Sequence, residues 1–368
     1  MKILLLQDRL RSGGTERQSV LLAGAFAAAG HATTLLTFRP GGALAATVDA
    51  AVSRRALQPF DTGLDWFAPG LRRAVAGLRP AVVLCMGRMA NCYAGSLQRL
   101  ALGERDAPAV VATMRTGKSL PRLFRRSLAQ VRHVVANSRA AKENLVAQYR
   151  VPPEKISVIH NSLVFPAESG GGRNEALRAQ WGAGPGTIVL LDVAMFRPEK
   201  NQRELIELVA ALPRGRGVHL WLAGVGPALE ACRRRVAEQR WDSFVKFLGF
   251  QPDPSPLYAA ADLAVHASYS ESLSNFLIEA QAHGLPSVAY DAQGIDECCV
   301  PGETGFVIPA GDRAAFLAAL ERLVAEPAAV RARRAAGARA YARTTFDPQR
   351  QVAAYLRLFE TLAAGQPP

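Results

Sequence analysis

Two doubly wound α/β domains, each a parallel sheet covered by helices on both faces and facing its neighbour across a cleft, are the architecture this sequence predicts. Three observations predict it. The chain has 368 residues, too many for one ordinary core and suited to two of about 100–200 residues each. Short β-rich runs alternate with helix-forming stretches, and several runs are continuously apolar, as strands buried on both faces must be. A Gly-rich polar stretch, Glu168 to Asn174, interrupts the alternation and is the best candidate for a linker, although such a run also suits a surface loop inside one domain.

The first half predicts strands at Ile3–Leu6, Thr33–Phe38, Val82–Met86, Val110–Met114, Val134–Asn137 and Ile156–His160. After the Gly-rich stretch the pattern restarts at Thr187–Val193, Val218–Ala223, Val245–Phe247, Leu263–Ala267, Ser287–Tyr290 and Gly305–Ile308. Beyond Asp312 the chain is rich in Ala and Arg and reads as helical. Its last stretch, Gln351–Ala363, carries apolar residues near helical spacing and is expected to return to the first domain. No short-period repeat is present, which argues against a solenoid.

Composition narrows the class. Hydrophobic residues make up 49% and charged residues 20%, values of a globular chain rather than a disordered one. Only Ile3–Leu6 precede Gln7 and Asp8 as an apolar run, too short for a signal-peptide core or a membrane span. The five cysteines show no paired spacing, so a reducing cytoplasm is the expected compartment and no metal knuckle is read. Charge is unevenly divided: residues 1–165 carry 23 Lys and Arg against 9 Asp and Glu, whereas the remainder is nearly balanced. That asymmetry suggests an anionic partner for the first half, although an Arg-rich surface kept for solubility explains it too.

Three segments could carry chemistry. Ser12-Gly13-Gly14-Thr15-Glu16-Arg17 follows the opening strand and precedes an apolar helix. Glycines there permit a tight turn, and free helix-start N–H groups attract anions; a plain turn capped by Thr15 accounts for it equally well. Phe196-Arg197-Pro198-Glu199-Lys200-Asn201 places two cations beside a helix start, a seat for a diphosphate, or simply two solvated charges after a strand. Ser270 to Pro286 contains Glu271 and Glu279 at Glu-x7-Glu spacing, with small polar residues before a helical run. A helix starting near Ser274 would turn its N–H groups toward phosphate oxygens, leaving Glu279 to accept from ribose hydroxyls and Glu271 to reach a sugar; a plainer reading makes Glu271 a loop charge and Glu279 a satisfied surface carboxylate.

That third segment resembles the Glu-x7-Glu signature of the retaining glycosyltransferase family 4, whose members have the two-Rossmann GT-B fold. The resemblance extends along most of the chain. Gly13-Gly14-Thr15-Glu16 is similar to the family's glycine loop, Val158-Ile159-His160-Asn161-Ser162 to its V-I-P-N-G segment, and Leu222 to Pro227 to its L-x-G-x-G-P turn. Val245-Lys246-Phe247-Leu248-Gly249-Phe250 resembles its V-x-F-L-G strand, and Gly294 to Phe306 its closing G-x-x-E and G-x-T-G elements. The resemblance implies Glu271 at the donor sugar and in the catalytic role, Glu279 at the ribose, and Arg197, Lys200, Ser274 and Asn275 at the diphosphate. It further implies Phe250 and Gln251 near the nucleobase, and Gly13, Gly14, Thr15 and Glu16 at the cleft. Residues 1–165, with 348–368 packed back on them, would be the acceptor-side domain and 166–347 the nucleotide-sugar domain. The chain departs from the pattern at Met195, where members often have Arg, at Ser272, where Gly is usual, and at Met114-Arg115-Thr116, where many carry a His.

The implied reaction is metal-independent transfer of a hexose-type sugar from a UDP- or GDP-sugar to a hydroxyl acceptor, such as a lipid-linked or cell-envelope glycan. Leu120 to Leu128, with Arg122, Arg125 and Arg126 beside Leu123 and Phe124, reads as an interfacial helix for an anionic membrane, or as a basic helix with a buried apolar face. A nucleotide-sugar epimerase, a phosphorylase and a non-enzymatic sugar-nucleotide binder are the rival readings. Nucleic acid falls behind them for want of any module signature.

Overall fold

The computed structural model describes residues 1–101, 107–163, 165, 173–213 and 217–366. Of the expected linker, only Arg173 and Asn174 fall among them. The chain divides into two units, Met1–Ser162 with Pro348–Pro368, and Leu163–Asp347.

Among the described residues the first unit is built on seven strands: β1 (Lys2–Gln7), β2 (Ala32–Thr37), β3 (Ser53–Ala56), β4 (Val82–Cys85), β5 (Ala109–Met114), β6 (His133–Ala136) and β7 (Ile156–Val158). They lie in the order β3-β2-β1-β4-β5-β6-β7, and all pair in parallel. Successive side chains of a strand leave opposite faces, so β1 supplies two cores. Leu4 and Leu6 enter one cluster, and Ile3 and Leu5 the other. Helices α1 (Gly14–Ala28), α2 (Leu71–Leu78), α3 (Arg88–Ala101), α4 (Arg122–Gln130) and α5 (Arg139–Tyr149) connect the strands.

β3 is missing from the sequence reading. Its residues, Ser-Arg-Arg-Ala, are all exposed, because an edge strand needs only backbone partners on one side and leaves no apolar pattern to find. A second correction concerns Leu120 to Leu128. Phe124 and Leu128 are only 2% and 1% exposed and belong to the core of the unit. What α4 shows to solvent is Arg122, Leu123, Arg125, Arg126 and Ala129, so its Phe is not available for insertion.

The C-terminal helix, which follows those of the second unit and is labelled α13 below (Pro348–Ala363), belongs to the first unit. Tyr355 and Phe359 meet Phe26 of α1 edge-on, with centroids 6.0 and 5.5 Å apart.

Among the described residues the second unit has six strands: β8 (Ile188–Val193), β9 (Val218–Ala223), β10 (Val245–Gly249), β11 (Leu263–His266), β12 (Ser287–Tyr290) and β13 (Gly305–Ile308). Their order is β10-β9-β8-β11-β12-β13, again all parallel. Covering helices are α6 (Glu175–Gln180), α7 (Gln202–Ala210), α8 (Leu229–Glu238), α9 (Ser255–Ala260), α10 (Asn275–Ala282), α11 (Arg313–Val324) and α12 (Ala328–Thr345). The direction of winding reverses between β8 and β11. Loops leaving the carboxyl ends of two such strands part to opposite faces and leave a crevice for a ligand.

Candidate active site at the switch point of the second unit

The loop after β8 carries Arg197 and Lys200, and the loop after β11 carries Glu271. Two contacts to one carbonyl join them: Tyr269 N–H and Ser268 Oγ both donate to Glu199 O, at 3.0 and 3.1 Å. The β8 loop is itself pressed against the turn after β9. Gly224 and Gly226 have φ of +145° and +155°, and a Cβ on either would lie 2.0 Å from Ala194 O or 2.3 Å from Phe196 O. Only glycine fits that approach.

Joined in this way, the loops assemble a buried charged chain. Lys200 Nζ donates to Glu271 Oε1. His266, the last residue of β11, bridges Glu271 Oε1 through Nε2 at 2.7 Å and Asp192 Oδ1, on β8, through Nδ1 at 2.8 Å. His266 is 1%, Asp192 2% and Glu271 9% exposed. Burial opposes a charge on His266, but hydrogen bonds to Asp192 and Glu271 and their negative charges overcome it and raise the imidazole to about 9. Burial likewise opposes a charge on Glu271, yet the Lys200 ammonium and the His266 hydrogen bond hold its carboxyl down at about 2. Both cations converge on Oε1. Among the described residues no donor is recorded for Oε2.

α10 starts where the spacing predicts. Ser274 is its N-cap, the hydroxyl accepting from Leu277 N–H at 3.4 Å, and Asn275 is its first residue. Glu279 lies further along the helix and accepts from Tyr258 of α9 at 2.6 Å. Ring contacts run between the two carboxylates: His266 to Phe276 at 5.6 Å, Phe276 to Tyr258 at 6.2 Å, and Tyr258 to His283 at 4.8 Å. Burial, chiefly, lowers His283 to about 4, so the end of this stack is neutral. Phe250, just past β10, is 37% exposed, and Gln251 turns back to donate to Leu248 O at 2.8 Å. Arg197 is half-buried, and no side-chain hydrogen bond is recorded for it among the described residues.

In the first unit, Gly13 is the N-cap of α1 and makes no side-chain cap, so the turn is not capped by Thr15. Gly14, Thr15 and Glu16 form the first turn, where Thr15 O accepts from Ser19 Oγ. Gln18 of the same helix is bonded both ways to the Ser162 backbone, at 2.7 and 2.9 Å. Asp8, at the switch point between β1 and β4, accepts from Met89 and Ala90 N–H at 3.0 and 2.8 Å. Burial raises it to about 6 against the pull of those amides. Arg115 donates to Asn161 Oδ1 at 2.5 Å and to Tyr355 Oη at 2.7 Å, tying α13 to the unit. Part of the basic excess is neutralised internally, since Arg9, Arg11 and Arg39 pair with Asp61 and Asp65.

Both halves of the chain match family profiles: residues 12–163 match Glycosyltransferase Family 4, and residues 187–326 match Glycosyl transferases group 1. This chain belongs to the group 1, family 4 glycosyltransferases. Among curated relatives, the lipopolysaccharide core biosynthesis glycosyltransferase of Rhizobium meliloti is 34% identical over 138 residues, 38% of this chain and 40% of the relative. The D-inositol 3-phosphate glycosyltransferase of Nocardia farcinica is 30% identical over 242 residues, 63% of this chain and 52% of the relative. The chain thus aligns with about half, or less, of the length of these relatives. Among solved structures, Anabaena HepE in complex with UDP and glucose superposes with a TM-score of 0.82 at 22% identity, covering 98% of this chain and all of that one. Sucrose-phosphate synthase from Thermosynechococcus elongatus gives 0.82 at 18% identity, with both chains covered in full. At these identities the likeness is one of fold.

Sequence reasoning missed Asp192, His266 and Tyr258. The first two sit inside apolar strand runs, where a polar residue breaks the pattern; a His and an Asp in strands buried on both faces were a usable signal. Tyr258 gave none, since a Tyr in a short helix is ordinary core material.

Proposed function

We propose that this glycosyltransferase moves a hexose-type sugar from a uridine diphosphate sugar to a hydroxyl of a cell-envelope glycan, with retention at the anomeric carbon. The observation that carries the reading is the charged chain Lys200–Glu271–His266–Asp192 at the switch point, beside the amino end of α10. Arg197, Lys200 and the α10 N–H groups meet the diphosphate and stabilise the charge that develops as the sugar bond breaks. Ser274 and Asn275 form the lip of that seat. Glu279, steadied by Tyr258, accepts from the ribose, and Phe250 and Gln251 flank the nucleobase. Glu271 offers Oε2 to the sugar hydroxyls, and its fixed negative charge favours an oxocarbenium-like transition state. The departing phosphate oxygen receives the acceptor proton. Uridine and an envelope acceptor are supported by the UDP in the HepE structures and by the names of the curated relatives.

A thermal-shift screen of UDP- and GDP-sugars, followed by donor hydrolysis on the hits, tests this. A UDP-hexose is expected to stabilise the protein and Glu271→Ala to slow transfer by about 10²–10³-fold. No stabilisation by any nucleotide sugar, or near-normal transfer by that variant, overturns the reading.

We also assign the acceptor side to the cytoplasmic face of an anionic membrane. Arg122, Arg125 and Arg126 surround Leu123, which is 61% exposed. Phe60 and Trp66 stand out at 69% and 55% on the loop after β3 of the same unit. Equal flotation with neutral and anionic liposomes refutes the assignment.

A further inference from the structure

Both ring nitrogens of His266 face carboxylate oxygens, Asp192 Oδ1 at 2.8 Å and Glu271 Oε1 at 2.7 Å. A neutral imidazole has one N–H and could serve only one of them, leaving a lone pair against the other oxygen. With both carboxylates ionised, the geometry calls for the imidazolium, in agreement with the raised titration of this residue. Around it lie Asp192 from β8, Glu271 and Phe276 from the β11 loop and α10, and, beyond Glu271, Lys200. The Cys298 thiol, which responds to the Glu271 charge, is held protonated chiefly by its burial.

Glu271 thus has two cations on one oxygen, and they differ in kind. His266 is fixed in a strand and buried. Lys200 ends a flexible four-carbon stem at the close of a short turn, and its side chain is 22% exposed. If Lys200 alone balanced the buried carboxylate, a diphosphate could draw it away only by leaving Glu271 without a counter-charge, at a heavy desolvation cost. We infer that His266, held as imidazolium by Asp192, is the permanent counter-cation of Glu271, and that this frees Lys200 to change partner from Glu271 to the donor's diphosphate. His266 and Asp192 are positioning residues; neither needs to touch the donor. The inference rests on the reading of Lys200 as a phosphate ligand.

The test is a double-mutant cycle read in UDP affinity by calorimetry, using His266→Asn, Glu271→Gln and the pair. With Glu271 charged, His266→Asn leaves Lys200 as its sole cation, and UDP affinity is expected to fall about tenfold, the equivalent of one modest charge-assisted hydrogen bond. With Gln at 271 there is no buried charge to hold Lys200, and the same His266→Asn change is expected to leave UDP affinity within about twofold. Asp192→Asn, which keeps the His ring but removes the acceptor charge behind it, repeats the cycle should His266→Asn fail to fold. An equal loss in both backgrounds overturns the inference, since a purely structural His266 would act regardless of the charge at 271. Wild-type protein that binds no UDP, or Lys200→Ala that binds it as well as wild type, defeats the reading of Lys200 and this inference with it.

Discussion

Raising the pH through the slightly alkaline range is expected to weaken the second unit, and one buried side chain sets the size of the effect. His266 titrates near 6.5 in an unfolded chain and near 9 in the fold. A group whose folded value is raised contributes fully below the unfolded value and loses its contribution as pH climbs through the folded one. The full difference corresponds to about 3 kcal/mol, of which about 2 kcal/mol disappears between pH 6.5 and about pH 8.5. His133, His219 and His283 are shifted down chiefly by burial and act at lower pH. The buried thiols are shifted up from 9.0 and act above it. Urea unfolding followed by tryptophan fluorescence is a suitable assay, because Trp181, Trp221 and Trp241 lie in the second unit and only Trp66 in the first. Wild type should lose stability across the window and His266→Asn should stay nearly level. A level wild-type curve, or equal slopes in the two proteins, refutes the assignment of a cationic His266.

Other outcomes follow from individual contacts. Tyr258→Phe removes the 2.6 Å bond to Glu279 and should raise the donor KM about tenfold with kcat nearly unchanged, seen in steady-state kinetics on the donor that the screen identifies. Gly224→Ala sets a methyl 2.0 Å from Ala194 O at a φ of +145° and should lower stability by about 2–3 kcal/mol in urea unfolding, with loss of donor binding because the Lys200 loop must move. Arg115→Ala breaks the bonds to Asn161 and Tyr355. It should speed amide exchange along 348–363 and cost the first unit about 2 kcal/mol, while leaving exchange in β8 and β11 unchanged.

Legibility differed from element to element for physical reasons. Strands buried on both faces, such as Val82–Cys85 and Ala109–Met114, show as short apolar runs rich in β-branched residues, set apart from helices by their length and flanking turns. The exposed edge strand Ser53–Ala56 shows nothing. In α4 the helical spacing is real, but amphipathicity alone does not say whether the apolar side meets lipid or protein; Phe124 and Leu128 meet protein. Arg115, where a His is usual in the family, anchors the C-terminal helix through Tyr355, a partner 240 residues away.

What the sequence by itself determined was local: the alternation that makes two wound sheets, the Ser274 start of α10, and the Glu-x7-Glu spacing that places two carboxylates around that start. Each depends on periodicity, capping or turn chemistry acting within a few residues. Tertiary structure alone decided which charges meet. Lys200 and Glu271 are 71 residues apart and Asp192 and His266 are 74; strand order makes them neighbours by setting β8 beside β11. Low exposure then turns that adjacency into a chain of fixed charges, since water no longer screens one from the next.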